Sequence, residues 1–169
     1  MATQNSPVIP VGKAIVPPSQ LTHVENSSLS WPVKPAYVGV LTAGEEHQDE
    51  FGHVNNLVYP QWAVEAAWHH SSAIGFPYTR FVETGFGPVV WQHKFDYVAA
   101  VKLGDQIEVA TWVAKNDGRL RMTRAYEMRL RGTDICVFRG ETLFIWIEMA
   151  SGRPVRMPKE CAQAYAPAG

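Results

Sequence analysis

The sequence predicts an α+β fold in which one antiparallel sheet wraps around one long helix. A strand-like segment from Ala36 precedes an apolar helical segment over residues 57–74, and four further strand patterns follow before residue 150. Turn-forming residues separate the later strands, which indicates a meander of neighbouring strands. A helix packed on a sheet forms a two-layer unit. We therefore expect a five-stranded antiparallel sheet around one central helix, in one domain of residues 36–160.

Length and composition limit the classes of function. The 169-residue chain suits one domain with a sizeable core. Its 15 Lys and Arg residues nearly balance 16 Asp and Glu residues, so no general attraction to nucleic acid or to an acidic membrane is expected. The sequence shows no membrane-spanning apolar run and no signal-peptide pattern. Two cysteines predict no disulfide framework, and the expected location is the cytoplasm.

The two ends of the chain differ from its middle. Residues 1–35 hold six of the 12 prolines. Because proline removes a backbone donor and fixes φ, this stretch predicts an extended, irregular arm. The arm could lie on its own domain or on a neighbouring subunit. Residues 161–169 form a C-terminal tail.

The central helix is predicted from Leu57 to Ile74. Its polar residues fall in one narrow stripe, and most of the remaining circumference is apolar, which indicates deep burial. Gly75 can end the helix. The polar stripe consists of Gln61, Glu65, His69 and Ser72.

Four strands are predicted after the helix, at residues 88–98, 106–114, 119–131 and 135–149. The first three show alternating patterns, and turns at 116–118 and 132–134 separate the last three. The final strand is apolar on both faces near its end, which is typical of an interior strand or of a subunit interface. One helix covers only one face of the sheet, so we expect this protein to associate.

A polar nonapeptide, QDEFGHVNN (48–56), joins the first strand to the helix. The strand–helix–strands order, with D-x-F-G-H-V-N-N at this junction, resembles the hotdog fold. More narrowly, it resembles the 4-hydroxybenzoyl-CoA thioesterase-like group of acyl-CoA thioesterases. Supporting segments are VVWQHKFDYVAAVKLGD (89–105), residues 106–131 and residues 140–158.

The resemblance implies roles for particular residues. It makes Asp49 the catalytic carboxylate and the backbone N–H of Asn56 the oxyanion donor. The family hydrolyses acyl-CoA thioesters without a metal or an organic cofactor, at sites in the dimer interface of homodimers or homotetramers. Many members carry a second acid two residues before the catalytic one, where this chain has His47. Pro60 is compatible with the helix if the helix begins near Leu57, because it then lies in the first turn.

The chemistry of the junction fits that implication. A helix N-terminus offers free N–H groups and a partial positive charge, which can stabilise an oxyanion. Asp49 could attack the thioester carbonyl or activate a water. Gly52 allows a sharp turn and room for the carbonyl. His53 could orient the loop or touch the substrate, and Asn55 or Asn56 could cap the helix.

Other polar residues have alternative interpretations. Glu65 is a second candidate acid, since another hotdog branch uses a helix glutamate, although a solvated glutamate or one paired at an interface is the favoured interpretation. His93 and Arg124 interrupt apolar strand faces and are expected to be hydrogen-bonded. The histidine spacing does not form a metal signature. Four arginines on one strand face could meet the phosphates of coenzyme A or could be solvated: Arg119, Arg121, Arg129 and Arg131.

The sequence therefore favours an acyl-CoA thioesterase acting on an aromatic or medium-chain acyl group. A non-catalytic protein that binds acyl thioesters is the alternative. A dehydratase or hydratase is disfavoured, because the candidate acid precedes the helix rather than lying within it.

Overall fold

The computed structural model describes residues 20–169, so residues 1–19 of the predicted arm lie outside the described part. The strands are β1 (Thr22–His23), β2 (Tyr37–Thr42), β3 (Phe86–Tyr97), β4 (Gln106–Asn116), β5 (Arg121–Leu130) and β6 (Cys136–Glu148). The helices are α1 (Val58–Ala73), α2 (Tyr78–Thr84) and α3 (Lys159–Ala164), with a 3-10 turn at Glu45–His47.

The strands form one antiparallel sheet in the order β1-β2-β4-β5-β6-β3. The α+β class with an antiparallel sheet is confirmed, but the prediction of five strands is wrong. The sixth strand, β1, comes from the segment predicted as an irregular arm and pairs with Gly39 and Val40 of β2. It can pair because residues 19–31 contain no proline, so every amide there keeps its donor.

The prediction of a single long helix is also corrected. α1 spans 16 residues, and two shorter helices, α2 and α3, accompany it. Pro60 lies in the first turn of α1, where its missing N–H costs nothing. The chain leaves the helix through Gly75, whose φ of 86° favours glycine.

The inner face of the sheet packs against α1. Small and aromatic side chains of the helix, including Trp62, Ala63 and Ala66, are almost fully buried there. They meet a sheet surface that includes Val109 and Phe138. Alanines in the contact let the helix approach the sheet closely.

Part of the outer face is covered by the chain itself. Val24, Trp31 and Val33 pack on a buried cluster that includes Ala110 and Trp112. β4 is therefore buried on both faces over most of its length. The N-terminal segment, residues 20–36, thus covers part of the outer sheet face, which the single predicted helix would leave open.

A β-bulge changes the predicted face of β3. Pairing with β6 shifts between Val90 and Gln92, so Trp91 is the extra residue. Val90 and His93 therefore share the inner face, while Val89 lies on the other face. The uniform alternation predicted for residues 88–98 is wrong at this point, because a bulge leaves the residue types unchanged and shifts only the register.

Candidate active site

The polar junction folds as a small hairpin of residues 47–55. The Asn55 N–H donates to the His47 carbonyl at 2.8 Å, and the Asp49 N–H donates to the His53 carbonyl at 2.8 Å. Gly52 closes the tip with a φ of 73°, which a side chain would disfavour. The hairpin therefore holds Asp49 beside its tip, directly before the chain enters α1.

The carboxylate of Asp49 is oriented by its own hairpin. Its Oδ1 atom accepts hydrogen bonds from the N–H of Phe51 at 2.9 Å and of His53 at 3.2 Å. Across residues 20–169, no group donates a hydrogen bond to Oδ2. One oxygen is thus fixed while the other remains available. His53 contributes its backbone, and its side chain is exposed.

Asn55 and Asn56 have different roles at the start of α1. The Asn55 side chain accepts the Leu57 N–H at 2.9 Å, and its carbonyl accepts the Val58 N–H at 2.9 Å, so Asn55 caps this turn. The Asn56 carbonyl accepts the Tyr97 hydroxyl at 2.9 Å. Within the described part of the chain, the Asn56 N–H has no acceptor, which leaves one donor at the positive end of the helix.

Two tyrosines that the sequence places only in apolar patterns lie at this helix end. The Tyr59 hydroxyl accepts the Val101 N–H at 3.2 Å, and the rings of Tyr59 and Tyr97 meet edge to face at 5.5 Å. Burial raises the pKa of Tyr59, and the charge of Asp49 raises it further. The Asp49 carboxylate therefore lies within electrostatic reach of the Tyr59 hydroxyl. A buried tyrosine hydroxyl needs a polar partner, and that is the signal that could have found Tyr59, which is 3% exposed.

Glu65, the second candidate acid, holds the N-terminal segment. Its Oε1 atom accepts the N–H of Gln20 at 2.7 Å and of Leu21 at 2.9 Å. His69 Nε2 lies 3.6 Å from the same oxygen. Burial raises the pKa of Tyr37 to about 12, with a further contribution from the charge of Glu65. These contacts identify Glu65 as an anchor between α1 and the segment before β2.

His47, at the base of the hairpin, is buried. Its Nδ1 atom accepts the Gly44 N–H at 2.9 Å, so its Nε2 atom carries the proton and donates to Gln20 Oε1 at 3.1 Å. The Trp62 indole N–H donates to the same oxygen at 3.1 Å. His47 thus connects the base of the hairpin to the helix through the side chain of Gln20.

His93 and Arg124 are hydrogen-bonded, as expected. They lie in one row across the inner face with Thr142 between them, and His93 Nδ1 is 2.8 Å from the Thr142 hydroxyl. Arg124 is fully buried and donates to His70 Nδ1 at 2.8 Å. No carboxylate in residues 20–169 pairs with Arg124, so neutral groups alone surround this cation.

The four candidate phosphate-binding arginines differ in their ionic contacts: two lie near carboxylates and two do not. Arg129 pairs with Glu127, and Arg131 lies 3.6 Å from Glu108. Arg119 and Arg121 are exposed and form no ion pair with any described residue. The hypothesis that they meet coenzyme A phosphates stays a prediction.

Two further observations concern the described residues as a whole. They contain no cluster of three or more His, Cys, Asp or Glu side chains arranged to hold a metal ion. Among residues 20–169, no helix has the length and apolar character needed to cross a bilayer.

Comparison with solved structures places the fold among thioesterases. The 1,4-dihydroxy-2-naphthoyl-CoA thioesterase from Synechocystis superposes with a TM-score of 0.69 at 17% identity, covering 76% of this chain and 93% of that one. A thioesterase from Thermus thermophilus, complexed with coenzyme A and Zn, gives 0.66 at 22% identity, covering 78% and 92%. The DHNA-CoA thioesterase from Staphylococcus aureus gives 0.64 at 24% identity, covering 70% and 78%.

Sequence comparison assigns the family. No curated protein sequence matches the chain at a significant level. The profile of the thioesterase-like superfamily matches residues 44–165, which begin just before the hairpin and end after α3. This match confirms the predicted enzyme class, a hotdog-fold thioester hydrolase: the chain belongs to the thioesterase-like superfamily.

Proposed function

We propose that this protein hydrolyses acyl-CoA thioesters at the hairpin of residues 47–55. The observation that carries the proposal is the pairing of an oriented acid with a free donor. Asp49 has one oxygen held by two backbone N–H groups and lies within electrostatic reach of Tyr59 in the first turn of α1. Asn56 presents an N–H group at the same helix end. An acid and an oxyanion donor are the two groups that this hydrolysis requires.

The reaction uses the residues in a defined order. Asp49 either attacks the thioester carbonyl carbon or removes a proton from a water that attacks it. The carbonyl oxygen then becomes an oxyanion and accepts the Asn56 N–H, a type of contact worth about 2.7–4 kcal/mol of the barrier. Collapse of the tetrahedral species expels the coenzyme A thiolate. In the nucleophilic route, water then hydrolyses the mixed anhydride and releases Asp49.

The proposed acyl group is aromatic or of medium chain length. Apolar side chains surround the hairpin on the protein surface: Phe51 is 83% exposed and Leu57 is 68% exposed. The Synechocystis thioesterase with this fold is named for 1,4-dihydroxy-2-naphthoyl-CoA, an aromatic acyl-CoA, which supports the aromatic alternative. A cleft of about 280 Å³ on the outer face, lined by Trp112, Glu127 and Arg139, lies across the sheet from α1.

The proposed assembly is a homodimer, or a homotetramer built from it, with active sites at the dimer interface. β3 forms one edge of the sheet, and its 12 residues expose large apolar side chains, including Val90 and Trp91. A long apolar edge invites pairing with another strand. Tyr97 of this same strand contacts Asn56, so pairing along β3 would bring a partner subunit beside the site. The cytoplasm remains the proposed location.

Replacing Asp49 tests the function. Asp49→Asn keeps an Oδ1 atom that can accept the Phe51 and His53 N–H groups, so the hairpin should fold. We expect kcat for release of free coenzyme A from the best acyl-CoA of a panel to fall roughly a hundredfold or more, as for loss of a general base.

Glu50 provides a matched control. It is an exposed acid in the same hairpin, and Glu50→Gln removes the same charge one residue away. This variant should retain wild-type turnover. Equal activity of Asp49→Asn and wild type would reject Asp49 as the catalytic group. Thermal stabilisation by acyl-CoA without any thiol release would instead favour a non-catalytic binding protein.

A further inference from the structure

We propose that Gln20 is a positioning residue, whose side chain fixes the Asp49 hairpin against α1. This inference rests on the proposed function and deepens it, since it concerns the same site. Gln20 lies before the region matched by the superfamily, which begins at residue 44. The hydrogen-bond acceptor that Gln20 provides therefore lies in the N-terminal segment, outside the matched region.

The side-chain oxygen of Gln20 joins two elements. It accepts one hydrogen bond from the Trp62 indole N–H, at 3.1 Å, and one from His47 Nε2, at 3.1 Å. Trp62 belongs to the buried face of α1, and His47 is the first residue of the hairpin. One amide oxygen thus holds the helix and the hairpin together.

The backbone of Gln20 is itself held in place. The N–H groups of Gln20 and Leu21 both donate to the Glu65 carboxylate on α1, at 2.7 and 2.9 Å. Leu21 is 5% exposed and belongs to the same core cluster as Trp62. The side chain of Gln20 is therefore presented by a fixed backbone, which a positioning role requires.

His47 transmits this constraint to Asp49. Its ring accepts the Gly44 N–H and packs edge-on against Trp62, with the ring centres 5.2 Å apart. Its carbonyl accepts the Asn55 N–H, and this bond closes the base of the hairpin. Beyond that base the hairpin is largely exposed at its tip, so its orientation depends on how the base is fixed. Removing the Gln20 oxygen leaves the Trp62 N–H without its acceptor. It leaves the buried His47 Nε2–H facing the Glu46 carboxylate, whose Oε1 atom lies 3.6 Å away, beyond hydrogen-bond distance.

Two substitutions of Gln20 separate the hydrogen bonds from packing. Gln20→Met keeps the length of the side chain and removes the oxygen, whereas Gln20→Glu keeps an oxygen acceptor. Displacing a catalytic group by about 1 Å can cost on the order of a hundredfold in rate. We expect Gln20→Met to lower kcat at least about tenfold with KM within roughly twofold, and Gln20→Glu to recover most of that loss.

Ser27→Ala is the matched control. Ser27 fastens the same N-terminal segment to the outer face through the Glu108 carboxylate at 2.5 Å, and its hydroxyl also accepts the Leu29 N–H and the Trp31 indole N–H of the same segment. Its loss should lower the melting temperature and leave kcat unchanged. Equal loss of kcat in Ser27→Ala and Gln20→Met would reduce Gln20 to a general stabiliser and overturn the proposal.

Hydrogen exchange gives a readout that does not depend on turnover. In Gln20→Met, the amides of Phe51 and His53 should exchange faster than in wild type, while the amides of β5 should not. Unchanged exchange at these two amides would refute the positioning role even if the protein is a thioesterase. Faster exchange in a protein whose wild type hydrolyses no acyl-CoA would support the positioning and reject the proposed function.

Discussion

At the scale of single residues, Arg124 determines the charge that His70 can carry. The guanidinium donates to His70 Nδ1, so this nitrogen must hold no proton, and Ser71 and the ring of Tyr165 complete the surroundings of the cation. A second positive charge on His70 would face Arg124 in a buried space. Burial, with the Arg124 charge, therefore lowers the pKa of His70 from 6.5 to about 4.

This shift predicts a loss of stability in acid. Above pH 6.5 His70 is neutral in both folded and unfolded chains, so its contribution to stability is complete. Between pH 6.5 and 4 the unfolded chain binds a proton that the folded chain refuses, which lowers the free energy of unfolding. The loss should reach roughly 3 kcal/mol by pH 4, at about 1.4 kcal/mol per pKa unit. Urea unfolding at several pH values measures it.

A substitution separates the contribution of His70 to acid sensitivity from the contributions of carboxylates, which gain protons over a similar pH range. His70→Asn offers an oxygen acceptor to Arg124 without titrating, so its stability should change less over this range than that of wild type. His53→Asn, at the exposed hairpin tip, should keep the full wild-type decrease. If His70→Asn and wild type lose the same free energy, the acid sensitivity comes from other groups.

The sequence identified Asp49 and its neighbours as the polar junction, because charged and amide side chains there interrupt two apolar segments. It did not identify Gln20, Tyr59 or Tyr97 as parts of the same site. Tyr59 and Tyr97 fit the apolar pattern of their elements, and only their hydroxyl contacts reveal a second role. Gln20 is far away in sequence, and its contact with His47 depends on how the N-terminal segment returns to α1.

At the scale of elements, the predicted meander of four strands is wrong for β3, which pairs with β6 at one edge of the sheet and not with β4. α1 and the positions of the four strands were predictable from periodicity. The bulge at Trp91 and the pairing of β1 were not. A bulge shifts the register without changing the residue types, and β1 is only two residues long, too short for an alternating pattern. Both depend on contacts with strands that lie far away in sequence.

The link between α1 and the N-terminal segment yields a test of Glu65. If Glu65 acts only as an anchor, Glu65→Gln should retain kcat within about fivefold of wild type, because its amide keeps an oxygen acceptor for the Gln20 and Leu21 N–H groups. Glu65→Ala removes that acceptor and should lower stability by roughly 2 kcal/mol. Steady-state kinetics and thermal unfolding of both variants measure these effects. Loss of turnover in a fully folded Glu65→Gln protein would instead identify Glu65 as the catalytic acid.

At the scale of the whole molecule, the two edges of the sheet differ. β1 ends one side with two residues, whereas β3 ends the other with 12 residues. Short edge strands offer few free backbone groups, and long apolar ones are sites of association. The N-terminal segment also covers part of the outer face. The β3 edge is the longer of the two sheet edges in the described chain. Association through β3 would then bring a partner subunit beside the candidate site, because Tyr97 belongs to β3 and its hydroxyl donates to the Asn56 carbonyl.

We therefore expect the protein to form a dimer through β3 and to lose activity when that edge is blocked. Trp91 is 70% exposed at the bulge, and Trp91→Lys places a charge on the edge, which disfavours strand pairing. Light scattering after size exclusion should show a smaller species for Trp91→Lys than for wild type, with turnover falling in parallel. Ile135→Lys, which alters a 51% exposed residue in the turn between β5 and β6, should change neither property. A monomeric wild-type protein with full turnover would contradict the interface and place the complete site within one chain.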